Sequence, residues 1–325
     1  MTGLSDSFQR PVDYLRISVT DRCNLRCIYC MPAEGISLLP HEDVLSYEEI
    51  YQIAVTAAEL GIKKVRITGG EPLVRTGLSG LIRMLAQIDA IDDIALTTNG
   101  TLLAQYADEL KAAGLRRVNI SLDTLKPDKF RLITRGGDLD SVLEGIDAAG
   151  AAGLNPIKIN VVVMAGSNDD ELLDFAQKTI EEGWHVRFIE QMPFNRELAD
   201  SSFVPVNEMQ ERLAALGELE PSTVKGNGPA KYYRLPRAKG TIGFITPVSQ
   251  HFCFHCNRLR LTADGKLRPC LLSEREVDLR HPLRQGISAE ELKKLIKRAV
   301  DSKPRQHKLA QGCVPQDRPF SQVGG

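Results

Sequence analysis

The sequence predicts an α/β protein, a partial (βα)6 TIM-like barrel with a C-terminal extension. Between residues 14 and 193, six short β-branched runs alternate with longer helical patterns, as repeated βα units on a parallel sheet require. Unusual residues cluster at the ends of those runs, where barrel enzymes place their active sites. After residue 193 the alternation stops. That change divides the chain into a barrel, 1–193, and a C-terminal region, 194–325.

The expected strands are 14–20, 63–68, 93–98, 117–122, 157–164 and 185–190. A helix over 46–60 opens with Ser46-Tyr47-Glu48-Glu49, a capping box that satisfies the first free amides of a helix. Further helices are expected over 77–88, 102–113, 139–153 and 169–183. Six units fall short of the eight that close a barrel, so the mouth stays open to a large substrate. Residues 194–205 are polar and irregular, 206–217 reads as a helix, and Lys225-Gly226-Asn227-Gly228-Pro229 is dense in helix and strand breakers. Short strands follow, through 240–246.

A chain of 325 residues can bury about three quarters of its unfolded surface, so the core is not limiting. The net charge of −1, from 41 basic and 42 acidic residues, excludes the general basic field of a nucleic-acid binder. An anionic ligand must therefore be held by a local cluster of Arg and Lys. The first ten residues carry no apolar signal segment, and the apolar run 157–165 is too short to span a bilayer and contains Lys158. We expect a soluble, cytoplasmic protein without membrane contact. Seven cysteines form two triplets plus Cys313, an odd number that suits metal ligation in a reducing compartment better than disulfides.

The first triplet, Cys23, Cys27 and Cys30, has CX3CX2C spacing, short enough for one loop to aim three thiolates at one centre. Soft thiolates select iron-sulfur clusters, and a trio without a fourth cysteine nearby suits a cluster with one open iron. The alternatives are a disulfide plus a spare thiol, which a reducing compartment disfavours, and a zinc site completed by His41, although zinc sites usually group their cysteines in pairs. With Tyr29 before its last cysteine, the motif resembles the signature of radical S-adenosylmethionine enzymes. That resemblance implies a 4Fe-4S cluster whose fourth iron is chelated by the amino and carboxylate groups of S-adenosylmethionine.

Gly69-Gly70-Glu71-Pro72 follows the second strand and could be no more than a tight turn. Downstream of such a triplet it resembles the family's loop for the methionine amino group. Ser121 resembles the position that contacts the cofactor's ribose or carboxylate, although a Ser at a strand end is also an ordinary cap. Met192 reads as core without the family and as a cofactor contact with it.

The second triplet, Cys253, Cys256 and Cys270, is spaced CX2CX13C. Alone it reads as a zinc knuckle with His251 or His255 as fourth ligand. Two features point instead to a second cluster: the three-cysteine pattern recurs, and Arg258 and Arg260 follow directly, on one face if the segment is extended. Two guanidiniums beside an open iron make an anion pocket, since Arg presents a fork of donors to phosphate. Together with the terminal Gly324-Gly325, the set resembles the branch of radical S-adenosylmethionine enzymes that acts in molybdenum-cofactor (molybdopterin) biosynthesis. The match runs from about residue 14 to the end of the chain.

That resemblance implies two 4Fe-4S clusters, one on each trio, with Tyr29, Gly70, Ser121 and Met192 around S-adenosylmethionine. It implies GTP as substrate, contacted by Arg16, Arg66, Thr97 and Lys158 from the barrel and by Arg258, Leu259 and Arg260 beside the second cluster. A 5′-deoxyadenosyl radical would remove the ribose C3′ hydrogen, and C3′ would attack guanine C8 to give (8S)-3′,8-cyclo-7,8-dihydroguanosine 5′-triphosphate. The protein would orient a reaction that the cofactor performs. Lys158, a charge in an apolar strand, points either at a ligand or to an edge. The glycine tail, ordinarily a frayed end, would reach back into the active site. A reductant protein and a downstream cyclic pyranopterin monophosphate synthase are implied as partners, and a homodimer is compatible with the family. His281 and His307 read as surface residues without a role. A peptide maturase would need more C-terminal cysteines, and an electron-transfer ferredoxin or zinc module would leave Gly69 to Pro72 and the arginines unexplained.

Overall fold

The computed structural model describes residues 3–194, 203–226, 228–309, 313–315 and 317–324. The six expected strands form and pair in parallel in chain order: β1 (Tyr14–Ser18), β2 (Lys64–Thr68), β3 (Asp93–Thr98), β4 (Arg117–Ser121), β5 (Lys158–Val163) and β6 (His185–Glu190). Between them lie α1 (Tyr47–Glu59), α2 (Leu78–Ala86), α3 (Leu103–Ala112), α4 (Pro127–Thr134), α5 (Leu139–Ala151) and α6 (Leu172–Glu181). The capping box at Ser46 is made: its hydroxyl accepts from the Glu49 amide, and its own amide donates to the Glu49 carboxylate. Helix α4 was not expected from the sequence. It is only eight residues long and opens on Pro127, which fits the first turn of a helix because its missing N–H would be unpaired there anyway.

The C-terminal region adds α7 (Val206–Leu213), β7 (Glu220–Ser222), β8 (Lys231–Arg234), β9 (Thr241–Ile245), β10 (Arg258–Leu261), β11 (Lys266–Arg268), β12 (Val277–Asp278), α8 (Arg280–Arg284) and α9 (Ala289–Asp301). Its strands extend the barrel sheet at both edges. β10 pairs in parallel with β1 and β9 with β6, giving one sheet in the order β12-β11-β10-β1-β2-β3-β4-β5-β6-β9-β8-β7. Eight strands from β10 to β9 thus run parallel, and the sheet stays open.

Side-chain alternation divides this sheet into two faces. Leu15 and Ile17, Val65 and Ile67, Ile94 and Leu96, and Leu259 and Leu261 join the core under the helices. The opposite face carries Arg16, Arg66, Thr97, Asn119, Lys158, Arg187, Arg258 and Arg260. Register sets Arg260, Arg16 and Arg66 side by side on three adjacent strands. Among the described residues no helix is long and apolar enough to cross a membrane.

Candidate functional site

The loop after β1 carries the first cysteine trio and is fixed by its neighbours. The amides of Arg26 and Ile28 donate to Thr134 and Ile133, at the end of α4, so the unforeseen helix is a support of this loop. Cys30 and Met31 turn back on the Cys27 carbonyl. The amides of Gly70 and Glu71 donate to the carbonyls of Thr20 and Arg22, which locks the glycine loop onto the cysteine loop. A side chain at Gly70 would put Cβ 2.4 Å from the Arg22 carbonyl oxygen, an approach that only glycine allows. Gly70→Ala should therefore displace the cysteine loop at an overpacking cost of about 1–3 kcal/mol. Iron analysis and a melt check this: the first site should lose iron while the second keeps its own, and full loading of both sites would contradict the packing argument.

The three thiols are held above their ordinary range. Burial pushes Cys23 up to about 11 and Cys30 up to about 12, and Cys27 lies well above its usual value from burial and the neighbouring Cys30. Buried carboxyls add to this: Glu71, pushed up to about 7 by burial, and Asp123, pushed up to about 6 by burial, lie near the trio. Three thiolates here need a metal counter-charge. Among the described residues no group of three His, Cys, Asp or Glu side chains is arranged to hold a single metal ion. Three soft thiolates presented by one loop are the ligand set that a 4Fe-4S cluster takes, one thiolate per iron.

The second trio lies at the other end of the sheet: Cys256 precedes β10, whose start pairs with the start of β1, whereas the first trio follows the end of β1. Cys253 to His255 form a turn before β10, and Cys270 follows β11. Burial raises the Cys253 thiol, whereas Cys256 is drawn down to about 6: burial opposes this, and the Arg258 guanidinium and Lys303 ammonium outweigh it. A thiolate favoured by local cations is ready to ligate metal.

One cavity runs from the second trio to Tyr29 and Asp123, beside the first trio, whose own cysteines do not line it. Tyr29, Ser121 and Met192 line its first end, where the Tyr29 hydroxyl donates to Asp123 Oδ2 at 2.8 Å. Cys253, Cys256 and Cys270 line the other end, with Arg258 and Arg260, and between them stand Arg16, Arg66 and Thr97. The Arg66 Nε and the Thr97 hydroxyl are buried without a protein partner. Burial, reinforced by Arg258, depresses Arg260 to about 10, and Arg16 is lowered by burial and by Arg260. Such mutually repelling cations are relieved by a polyanion.

Two expected contacts sit differently. Lys158 is 2 % exposed with its Nζ on the Lys225 carbonyl at 2.6 Å, behind the cavity wall. Leu259 points its side chain into the core beneath the sheet, leaving only its main chain to the pocket side. Gly70 does not line the cavity, and its amide is taken up by the Thr20 carbonyl. His307, read as a surface residue, in fact lines the cavity, with a buried and unpartnered Nε2.

The structure also brings in residues that sequence reasoning missed: Arg187, Tyr14 and Asn160 line the cavity. Each carries a buried polar atom without a partner. Arg187 was legible, since it alternates with Val186 and Phe188 as Lys158 does with Ile159. The tail closes the same space. Arg260 donates to the Gly324 carbonyl at 2.6 Å, and Gly324, at φ +65°, lies so near the Thr68 hydroxyl that a Cβ would come within 2.5 Å. Gly325 lies outside the described residues.

Residues 17–179 match the Radical SAM superfamily and residues 184–309 match Molybdenum Cofactor Synthesis C. The GTP 3′,8-cyclase of Moorella thermoacetica is 53 % identical over 324 residues, covering 99 % of this chain and 100 % of its own. That of Heliobacterium modesticaldum is also 53 % identical, over 327 residues and 98 % and 99 % of the two chains. Streptococcus suis SuiB bound to S-adenosylmethionine shares the fold at a TM-score of 0.62 and 15 % identity, over 82 % of this chain and 63 % of SuiB.

Proposed function

The chain belongs to the GTP 3′,8-cyclase family of radical S-adenosylmethionine enzymes, and on that premise we propose that the cavity between Tyr29 and the Cys253 trio holds S-adenosylmethionine at its Tyr29 end, beside the Cys23 trio, and GTP at the Cys253 trio. The enzyme carries two 4Fe-4S clusters and catalyses the first step of molybdenum-cofactor biosynthesis. The observation that supports the site assignment most strongly is the cavity itself, which runs from the Cys253 trio across a row of arginines to Tyr29, within the first cysteine loop.

A cluster held by Cys23, Cys27 and Cys30 would supply the electron that cleaves S-adenosylmethionine and so provides the radical that takes the ribose C3′ hydrogen. The chain's own residues do the rest by placement. Cys23, Cys27 and Cys30 hold the first cluster, and Tyr29, Gly70, Ser121 and Met192 surround S-adenosylmethionine. Cys253, Cys256 and Cys270 hold the second cluster at the guanine end. Arg16, Arg66, Arg258 and Arg260 neutralise the triphosphate, Thr97 offers its free hydroxyl, Lys158 adds charge from behind, and Leu259 contributes main chain. The apolar core behind the sheet and the inserted tail keep water from the radical. The boundary near residue 194 separates the radical-generating part from the part that binds guanine.

Lys158 gives a prediction about pH. Burial, with Arg187, Arg117 and Arg66 nearby, pushes its ammonium down to about 6, so the free protein carries it neutral at pH 8. A bound triphosphate stabilises the ammonium and raises that value, so binding takes up a proton. GTP affinity should then fall up to about tenfold per pH unit above pH 6. Titration calorimetry in buffers of different ionisation enthalpy should show this uptake, and Lys158→Met should remove it. Equal uptake in parent and variant would sink the assignment.

We further infer that a reductant protein delivers the electron, that a cyclic pyranopterin monophosphate synthase takes the product, and that the protein works in the cytoplasm. The test of function is anaerobic turnover of the reconstituted protein with dithionite, S-adenosylmethionine and GTP. GTP-dependent formation of 5′-deoxyadenosine and cyclised GTP is expected, and 5′-deoxyadenosine with unchanged GTP would overturn the substrate.

A further inference from the structure

Lys303 follows the end of α9 and is 3 % exposed. Among the described residues it has no carboxylate partner, and a buried ammonium without one is costly unless each of its donors is satisfied. All three are. Its Nζ donates to the Arg258 carbonyl at 2.7 Å, to the Pro269 carbonyl at 2.8 Å and to Cys256 Sγ at 3.5 Å. These acceptors lie on the two separate segments that carry the second trio: Arg258 stands two residues after Cys256, and Pro269 immediately precedes Cys270.

The opposite side of the same stretch is clamped by Arg10. Its guanidinium donates to the Cys253 carbonyl at 2.7 Å and to the carbonyls of Pro304 and Arg305 at 2.7 and 2.9 Å, while Asp6 holds its Nε at 2.6 Å. The stretch 303–305 is thereby pressed against the cysteine loop and cannot withdraw the ammonium.

We propose that Lys303 is a positioning residue for the second cluster, setting the spacing of Cys256 and Cys270 and holding an N–H donor and a positive charge against the Cys256 sulfur. The inference rests on the second trio holding a cluster. A lysine that only braced the loop would leave the cluster's electronics unchanged. An N–H···S bond and an adjacent positive charge instead favour the reduced, more negative state and raise the reduction potential. The first trio, with Glu71 and Asp123 nearby and no such ammonium among the described residues, is an internal reference in the same molecule.

The test compares the parent, Lys303→Met and Lys303→Gln, each reconstituted anaerobically. The readouts are iron content, chelator release and a redox titration followed by electron paramagnetic resonance. Lys303→Met should shed the second site's iron about 10–100-fold faster, as loss of an outer-shell partner typically does. The first site's release rate and potential should stay unchanged. Lys303→Gln keeps donors without the charge, so its second cluster should load more fully than that of Lys303→Met while still titrating at a lower potential than in the parent. Unchanged release and potential at the second site in Lys303→Met would overturn the proposal, as would equal losses at both sites, which would make Lys303 a general folding residue. A parent that binds only one cluster would refute the second-cluster assignment itself.

Discussion

Cys27→Ala should abolish 5′-deoxyadenosine formation, whether or not GTP is present. Cys27 is the central thiol of the first trio, and its carbonyl also receives the turn amides of Cys30 and Met31. The substitution keeps that turn, because the main chain is untouched, and removes only the sulfur. The loss should exceed the roughly 10–100-fold that outer-shell changes cost, since a ligand itself is gone. The neighbouring trio gives the contrast. Cys253→Ala should leave some cleavage of S-adenosylmethionine while cyclised GTP disappears, because the guanine end of the cavity is dismantled and the radical-forming end is not. Liquid chromatography with mass detection of 5′-deoxyadenosine separates the two patterns. Equal residual cleavage in both variants would contradict the division of labour between the trios.

The second large effect is expected at Arg260. Its guanidinium is buried among Arg258, Arg16 and the second trio, and it bonds the Gly324 carbonyl at 2.6 Å. It bonds the inserted tail, and in the proposed site it also faces the substrate's phosphates. Truncating one partner of a buried charged hydrogen bond costs about 2–5 kcal/mol, roughly thirtyfold to a few thousandfold. Arg260→Ala should lower cyclisation by that factor and also free the tail, which amide hydrogen exchange at residues 317–324 would register. Arg260→Lys keeps the charge but not the planar fork, so it should recover little. A variant that loses activity with the tail still protected would assign Arg260 to the phosphates alone.

How much of this was legible in the sequence depends on what kind of signal carried it. Six barrel strands and six helices, the helix at Val206–Leu213 among them, followed from alternation and from caps such as Ser46, because those signals are local. The site cysteines followed from spacing, since one loop fixes both their number and their reach. Pairing of β9 and β10 with the two edges of the barrel was not legible, because nothing local records a partner more than fifty residues away. That pairing is what brings Arg260 into register with Arg16. The two faces of β10 show the same limit at single-residue scale: Arg258, Leu259 and Arg260 are consecutive, yet the pleat sends the leucine into the core. His307 shows it at longer range. Its polar character suggested the surface, but the stretch anchored by Arg10 and Lys303 carries it to the cavity wall.

The central claim is that one cavity brings a radical formed at the Cys23 trio to the ribose of a nucleotide held at the Cys253 trio. Turnover of GTP deuterated at C3′ tests it directly. The account predicts one deuterium in the 5′-deoxyadenosine and none in the cyclised product at that carbon. Unlabelled 5′-deoxyadenosine formed alongside cyclised GTP would contradict it, because the hydrogen would then have come from elsewhere.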